Sequence, residues 1–368
     1  MRKLCLIYNF APSYRKAIFT AIDSLWDCTW FFGTNKTDIK GLDLNVLKNV
    51  ETIPNKIVVK APFYRQQSVV KKALNTGATT FFVLGDPYCL STWILALQLK
   101  FSKKRLYYWT HGWYGKEGFF TKIIKKTFFK LADGVFLYGN HARKLMIKEG
   151  FNPEKLFVIH NSLDHRQQVL LRNQCSSSDI FVKHFGNDYP VLLFIGRLTA
   201  VKKLDMLIDA VSLLHKSGVK CNLVLVGNGT ESDMLKQLVN QRNISDYVWF
   251  YGACYDDTKN ANLIYNADLC VAPGNVGLTA MHTMVFGTPV ISHDDFKWQM
   301  PEFEAIRPGE TGDFFKAGDV DSLAKTIRTW LESHTDRDKT RQYCYNEIDS
   351  YWTPEYQMEV LEKHLIVE

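Results

Sequence analysis

Three consecutive stretches decide the fold: VLLFIGRLTAVKK (191–203), LDMLIDAVSLLHK (204–216) and CNLVLVG (221–227). The first opens with five apolar residues and closes on glycine, the pattern of a strand covered on both faces. The second spaces its apolar residues at helical period, and the third is another short apolar, β-branched run. Strand, helix and strand in so few residues make a βαβ unit, whose crossover is right-handed and whose strands are parallel. The same alternation runs outward in both directions. KLCLIYN, CTWFFGT, TTFFVLG, RLYYWTH, GVFLYG and KLFVIHN read as strands before it, and VWFYGA, LCVAP and TPVISH after it. Two sets of five or six strands suit two Rossmann-like domains better than one barrel.

The polar, Ser-rich segment around LRNQCSSSDIFVKHFGNDYP separates the two sets, so a linker is expected at about 165–188. The domains are then 1–170 and 185–350. The tail YWTPEYQMEVLEKHLIVE starts a helix at Thr353-Pro354, and this helix, about 352–368, is expected to pack back on the first domain.

The 368 residues are 46% apolar and 23% charged, which excludes disorder, collagen and a disulfide miniprotein. The net charge of +7 hides an asymmetry. Residues 1–180 hold 27 basic and 12 acidic residues, a net +15, and the remainder is −8. None of the eight cysteines forms a C-x-x-C pair, no His cluster has zinc spacing, and no metal is expected. Free buried thiols point to a reducing compartment, hence the cytoplasm. No stretch approaches 18 uninterrupted apolar residues, so membrane contact would be peripheral.

Chemistry concentrates at the strand ends. Gly196 and Arg197 end one strand, and Lys202 and Lys203 follow at the next helix start. Arg can grip a phosphate bidentately and Lys adds a point charge. Pro273-Gly274-Asn275-Val276-Gly277-Leu278 is a glycine-rich turn that opens the helix TAMHTMVFG, whose first amides face an anion. Alone, each signal is weak. In order, GRL-x3-K, LVGNG, F-x-G at Phe250–Gly252, AD-x4-P, GL-x7-FG-x-PVI, PE and GD resemble the nucleotide-binding half of the large fourth family of retaining glycosyltransferases (glycosyl transferases group 1), bacterial surface-polysaccharide type.

That resemblance covers about 190–330 closely and the first half loosely. It implies the GT-B fold: α/β, two Rossmann-like βαβ domains facing a central cleft. It implies a metal-independent hexosyltransferase with a UDP- or GDP-linked sugar as donor and a saccharide or polyprenyl-diphosphate-linked acceptor, in capsule or lipopolysaccharide synthesis. Carried over by position, Arg197 and Lys202 bind the diphosphate, with Gly196 and Asn228 at neighbouring strand ends. Gly252 and Ala253 lie near the base. Asn275, Val276, Gly277, Leu278 and Thr279 complete the phosphate cradle, Glu302 matches a common Pro-Glu, and His111 faces the donor sugar. The family's two glutamates correspond to Gly274 and His282. A neutral His282 keeps one acceptor nitrogen for a ribose hydroxyl; otherwise it is a packed helix histidine. Gly274 leaves the sugar to other groups. Two rival readings follow: a catalytically degenerate binding or scaffold subunit, and a sugar-nucleotide epimerase.

The acceptor side is less specific. Tyr14 and Arg15 follow the first strand, and Arg15 either meets an acceptor or solvates the first helix. Asp86 is an acceptor contact or a turn residue. Trp113 and Tyr114 follow His111 in a loop suited to stacking on sugars, although a Trp there can equally be core. Residues 101–130 carry eight basic residues against Glu117 alone. In FFTKIIKKTFFKL, Phe120, Ile123, Ile124, Thr127, Phe128 and Leu131 share one helical face. This reads either as an ordinary solvated helix or as an element lying on the anionic inner face of the cytoplasmic membrane. Nucleic acid is not expected, since no helix-turn-helix or RNA-binding signature is present.

Overall fold

A computed structural model describes residues 3–34, 39–58 and 61–367. The chain forms two compact units, one of Met1–Asp164 with Thr353–Glu368 and one of His165–Trp352.

Among the described residues the first unit holds eight strands: β1 (Lys3–Tyr8), β2 (Asp27–Thr34), β3 (Val50–Ile57), β4 (Tyr64–Gln66), β5 (Thr80–Leu84), β6 (Arg105–Thr110), β7 (Gly134–Leu137) and β8 (Leu156–Val158). Their order is β4-β3-β2-β1-β5-β6-β7-β8. Every pair is parallel except β3–β4. Strand alternation divides the core between the two faces. From β1, Leu4, Leu6 and Tyr8 enter one apolar cluster, and Cys5 and Ile7 enter the other. Strands β3 and β4 escape the sequence pattern. In β3 (VETIPNKI) only Ile53 is buried, because it lies toward the edge of the sheet where period-2 burial is weak.

The terminal helix Pro354–His364 belongs to this unit. Thr353 caps it by accepting from the Tyr356 amide, and Pro354 fills its first turn. Leu361, Leu365 and Val367 are buried in the β1 cluster, and Thr80 Oγ1 donates to Ile366 O at 2.8 Å.

The second unit holds β9 (Val191–Ile195), β10 (Asn222–Val226), β11 (Val248–Gly252), β12 (Leu269–Ala272), β13 (Val290–His293) and β14 (Gly312–Phe315). The order is β11-β10-β9-β12-β13-β14, all parallel. The helix Leu204–Lys216 buries Leu204, Leu207, Ile208, Val211 and Leu214 on one stripe against β9 and β10. The segment expected as a linker is instead structured. It holds the helices His165–Arg172 and Ile180–Phe185 within this unit. Its polar composition reflects exposed helix faces. Other polar groups there are tied down: Arg172 donates to both carboxylate oxygens of Asp349 at 3.0 and 2.9 Å.

The tail should be integral to the first unit. Leu361 is fully buried, so Leu361→Ala should cost about 2–5 kcal/mol. Chemical denaturation reads this, and a loss below about 1 kcal/mol would show that the helix is only loosely attached.

Candidate functional site

In an open parallel sheet, ligands bind outside the carboxyl ends of the strands where the strand order reverses. In the second unit that point lies between β9 and β12. Gly196 follows β9, and its amide donates to Val226 O at 2.9 Å. Leu198 N donates to Asn228 O at 3.0 Å, and Gly227 N to Gly252 O at 2.8 Å. The ends of β9, β10 and β11 are thereby locked side by side. A Cβ on Gly227 would lie 1.9 Å from Gly196 O, so only glycine lets these backbones meet. Asn228 and Ala253 are exposed at this edge, and Gly252 has φ +85°.

Arg197 is exposed beside this edge. Lys202, on the turn Ala200–Lys202, donates through Nζ to both the Asn275 carbonyl and Oδ1 at 2.8 Å. Burial lowers the Lys202 pKa, Arg197 lowers it further, and the buried Glu302 opposes this. Arg197, Lys202, Asn275 and Glu302 therefore form one electrostatic cluster. The amide of Val276 donates to Gln299 Oε1 at 2.9 Å. It is committed within the protein and drops out of the expected cradle. Gly277 (φ +52°), Leu278 and Thr279 lead into the helix Thr279–Met284, where the Ala280 amide donates back to Gly277 O at 3.2 Å and the His282 amide to Leu278 O at 2.9 Å. Thr279 Oγ1 donates to Ile195 O at 3.3 Å, which ties this turn to the end of β9.

The two positions that depart from the family pattern are both explained. Gly274 donates its amide to Lys202 O at 3.0 Å, and a Cβ there would lie 2.1 Å from Val201 O and 2.8 Å from Lys202 Cα. The Ala200–Lys202 turn has closed over the place where a side chain would stand. His282 Nδ1 accepts from Gln168 Nε2 at 3.2 Å. Burial lowers its pKa, so the ring is neutral and its single acceptor nitrogen is already used. Its other nitrogen, Nε2, then carries the proton. His282 thus offers a hydrogen-bond donor rather than the expected acceptor.

In the first unit the strand order reverses between β1 and β5. A cavity of about 670 Å3 opens there. It brings together Tyr14, Arg15, Asp86, His111 and Tyr114. Trp113 is not among its walls. It is 2% exposed in the core, so the sugar-stacking reading is corrected to a packing role. Arg15 is also not a solvated helix residue, being 6% exposed. Asp86 accepts from the Tyr64 hydroxyl at 3.0 Å and the Tyr88 amide at 2.9 Å. Burial nevertheless raises its pKa.

Sequence reasoning missed Tyr8, Tyr138, Glu117 and Lys125 as cavity walls. Tyr8 and Tyr138 end or follow strands that had been read correctly, so the strand-end rule could have found them. Glu117 and Lys125 carry no such signal. Glu117 accepts from Lys125 Nζ at 2.6 Å and from the amides of Tyr114 and Gly115 at 2.9 and 2.8 Å, which folds the loop after β6.

Residues 176–347 match the family model of glycosyl transferases group 1. The chain is 26% identical over 140 residues to the alpha-D-kanosaminyltransferase of Streptomyces kanamyceticus, covering 35% of this chain and 36% of that protein. It is 32% identical over 113 residues to a GDP-mannose-dependent alpha-(1-6)-phosphatidylinositol dimannoside mannosyltransferase of Mycobacterium tuberculosis, covering 30% and 29%. The chain spans about a third of the length of the curated relatives it matches. Among solved structures it resembles HepE from Anabaena in complex with UDP, with TM-score 0.73, 17% identity and 99% of each chain covered. With the two parallel-rich sheets, this shows the two-Rossmann-domain fold of GT-B glycosyltransferases.

Two outcomes follow from the geometry. Restoring the family's carboxylate by Gly274→Glu should lower the melting temperature without raising transfer, because the 200–202 turn must move. A stable, more active variant would contradict the close approach. The second concerns His111, whose pKa is lowered to about 4 by burial, with Arg15 and Lys125 adding to the effect. In the unfolded chain a histidine titrates near about 6.5. As the pH falls through that range, the unfolded state takes up the proton first. Stability is therefore full above about pH 6.5 and is lost between there and about pH 4. Melting temperature against pH should show a shallower acid slope in His111→Gln, and an unchanged slope would count against the buried neutral imidazole.

Proposed function

We propose that this protein is a glycosyltransferase that moves a hexosyl group from a UDP- or GDP-linked sugar to a saccharide or lipid-linked saccharide, with retention, in the assembly of cell-surface polysaccharide. The observation that carries the reading is the cluster of Arg197 and Lys202 beside the Gly277–Thr279 turn at the β9–β12 switch point, within the segment that matches the family. One relative is named for GDP-mannose and HepE was solved with UDP, so a nucleoside diphosphate is the chemistry they share.

The bond from the anomeric carbon to the diphosphate oxygen breaks, and a bond to the acceptor hydroxyl oxygen forms. The hydroxyl proton goes to the leaving diphosphate. In this reading Arg197 and Lys202 meet the negative charge that grows on the leaving diphosphate and stabilise the transition state without reorganisation. The neutral His111 binds a sugar hydroxyl rather than acting as a nucleophile. His282 donates to a ribose oxygen, and backbone replaces the missing side chain at 274.

The acceptor side is proposed to lie on an anionic membrane. The helix Phe119–Phe129 buries Phe128 and Phe129 but exposes Phe119, Phe120, Ile123 and Ile124. Its neighbour Leu90–Lys100, joined to it by the Trp93–Phe128 ring contact at 5.1 Å, exposes Ile94 and Leu97, and Phe101 just beyond it is exposed as well. Lys126 belongs to the same helix, whereas Lys122 is paired with Glu149 at 2.6 Å and Lys125 is buried on Glu117. No helix among the described residues is long and apolar enough to cross a membrane.

Arg197→Ala should weaken UDP or GDP binding by about 1–3 kcal/mol, the scale of a charged hydrogen bond. Isothermal titration reads this, and unchanged affinity would remove Arg197 from the diphosphate site. Product formed without any acceptor would favour the epimerase reading. Phe119→Ser with Phe120→Ser should abolish co-sedimentation with phosphatidylglycerol vesicles, and retained binding would move the membrane contact elsewhere.

A further inference from the structure

Among the described residues, the cavity of the first unit contains a cation without a counter-ion. Arg15 is 6% exposed, and charged side chains are rarely buried so deeply unless they are paired. Among the described residues its one hydrogen bond runs from Nη2 to the Tyr138 hydroxyl, a neutral group. Nη1 is buried with no acceptor. The phenols of Tyr138, Tyr8 and Tyr14 act on it electrostatically, and His111 feels its charge.

The two carboxylates that line the same cavity are committed elsewhere. Glu117 holds Lys125 and two backbone amides, and Asp86 holds Tyr64 and Tyr88. Aromatic rings surround the guanidinium instead. Its carbon lies 4.7 Å from the Trp109 ring centroid and 5.1 Å from that of Tyr138, with Tyr8, Tyr14 and Phe19 within 6.0 Å. Cation–π contacts soften the burial of a charge but accept none of its N–H groups. They also hold the planar fork rigid, and a rigid fork suits bidentate recognition of a carboxylate or phosphate. His111 stands at the same spot. Its ring lies 4.8 Å from Tyr138, and its Nδ1 is likewise buried with no partner.

We propose that this cavity takes an acceptor bearing an anionic group, a carboxylate or a phosphate, and that Arg15 is the residue that recognises it. The proposal rests on the reading of the first unit as the acceptor side. It specifies the substrate class of that side: an acidic sugar, or a sugar next to a lipid phosphate. The missing counter-charge arrives with the acceptor, and an uncharged saccharide would leave the guanidinium unpaired. Neutral acceptors are thereby rejected by the cost of a buried, unmatched charge.

The test uses the full chain and three probes, glucuronate, inorganic phosphate and glucose, titrated by calorimetry into the wild type, Arg15→Met and Arg15→Lys. Wild type should bind at least one anion ten-fold or more tighter than glucose. Tighter glucuronate identifies an acidic sugar, and tighter phosphate identifies a lipid phosphate headgroup. Arg15→Met keeps the bulk between the rings and should lose that preference, and Arg15→Lys should regain part of it. UDP or GDP binding, followed in parallel, should be the same in all three. No anion preference in the wild type overturns the proposal without recourse to any variant, so poor folding of Arg15→Met does not shield it. Equal anion affinity in Arg15→Met also overturns it. A matching fall in nucleotide affinity would assign Arg15 to the donor instead. Loss of nucleotide binding in the wild type would strike the transferase reading itself, which the anion arm does not measure.

Discussion

A parallel pair of strands must place both carboxyl ends on the same edge of the sheet. In this chain that constraint governs where chemistry can occur. The β1–β5 and β9–β12 pairings each bring together strands far apart in sequence. Each then opens a gap, because the chain leaves the two partners in opposite directions across the sheet. Tyr14, Arg15 and Asp86 reach one gap, and Arg197, Lys202 and Asn275 reach the other. Asp86 is far in sequence from Tyr14 and Arg15, as Asn275 is from Arg197 and Lys202, and the strand pairings bring them together.

The two gaps are finished differently. Around β9–β12 the backbone itself approaches, with glycines at 227 and 274 admitting carbonyls where side chains would otherwise stand. Charge there is compact and partly self-compensated, since Lys202 rests on Asn275 and feels Glu302. Around β1–β5 the walls are aromatic and the compensation is incomplete. Glu117 satisfies Lys125, but among the described residues no carboxylate pairs with Arg15. The basic surplus of the first half therefore includes one charge that the fold has taken out of water, along with many that remain in it.

Most of the fold was legible in the sequence. Strands covered on both faces announce themselves as apolar runs, and eleven of the fourteen could be read that way. The three that could not, β3, β4 and β14, are short or lie at or next to a sheet edge, where burial no longer imposes a pattern. The segment 165–188 misled because exposed helix faces and a linker share the same polar composition. On the candidate site, strand-end residues such as Arg15, Asp86, His111 and Arg197 were visible from position alone. The pairing of Lys125 with Glu117 was not, since a buried lysine looks like its half-exposed neighbours Lys122 and Lys126 until packing separates them.

The sequence by itself determined the alternation of strand and helix, the glycine-punctuated strand ends and the resemblance carried by residues 190–330. These follow from local patterns of side-chain size and polarity. Only the tertiary structure decided which groups are satisfied. It turned Trp113 into core, gave the acceptor nitrogen of His282 to Gln168, closed the 200–202 turn over Gly274 and left Arg15 buried among rings. The reason is physical. Burial, hydrogen-bond partnership and charge compensation depend on distances through space, and a linear order of residues does not contain those distances.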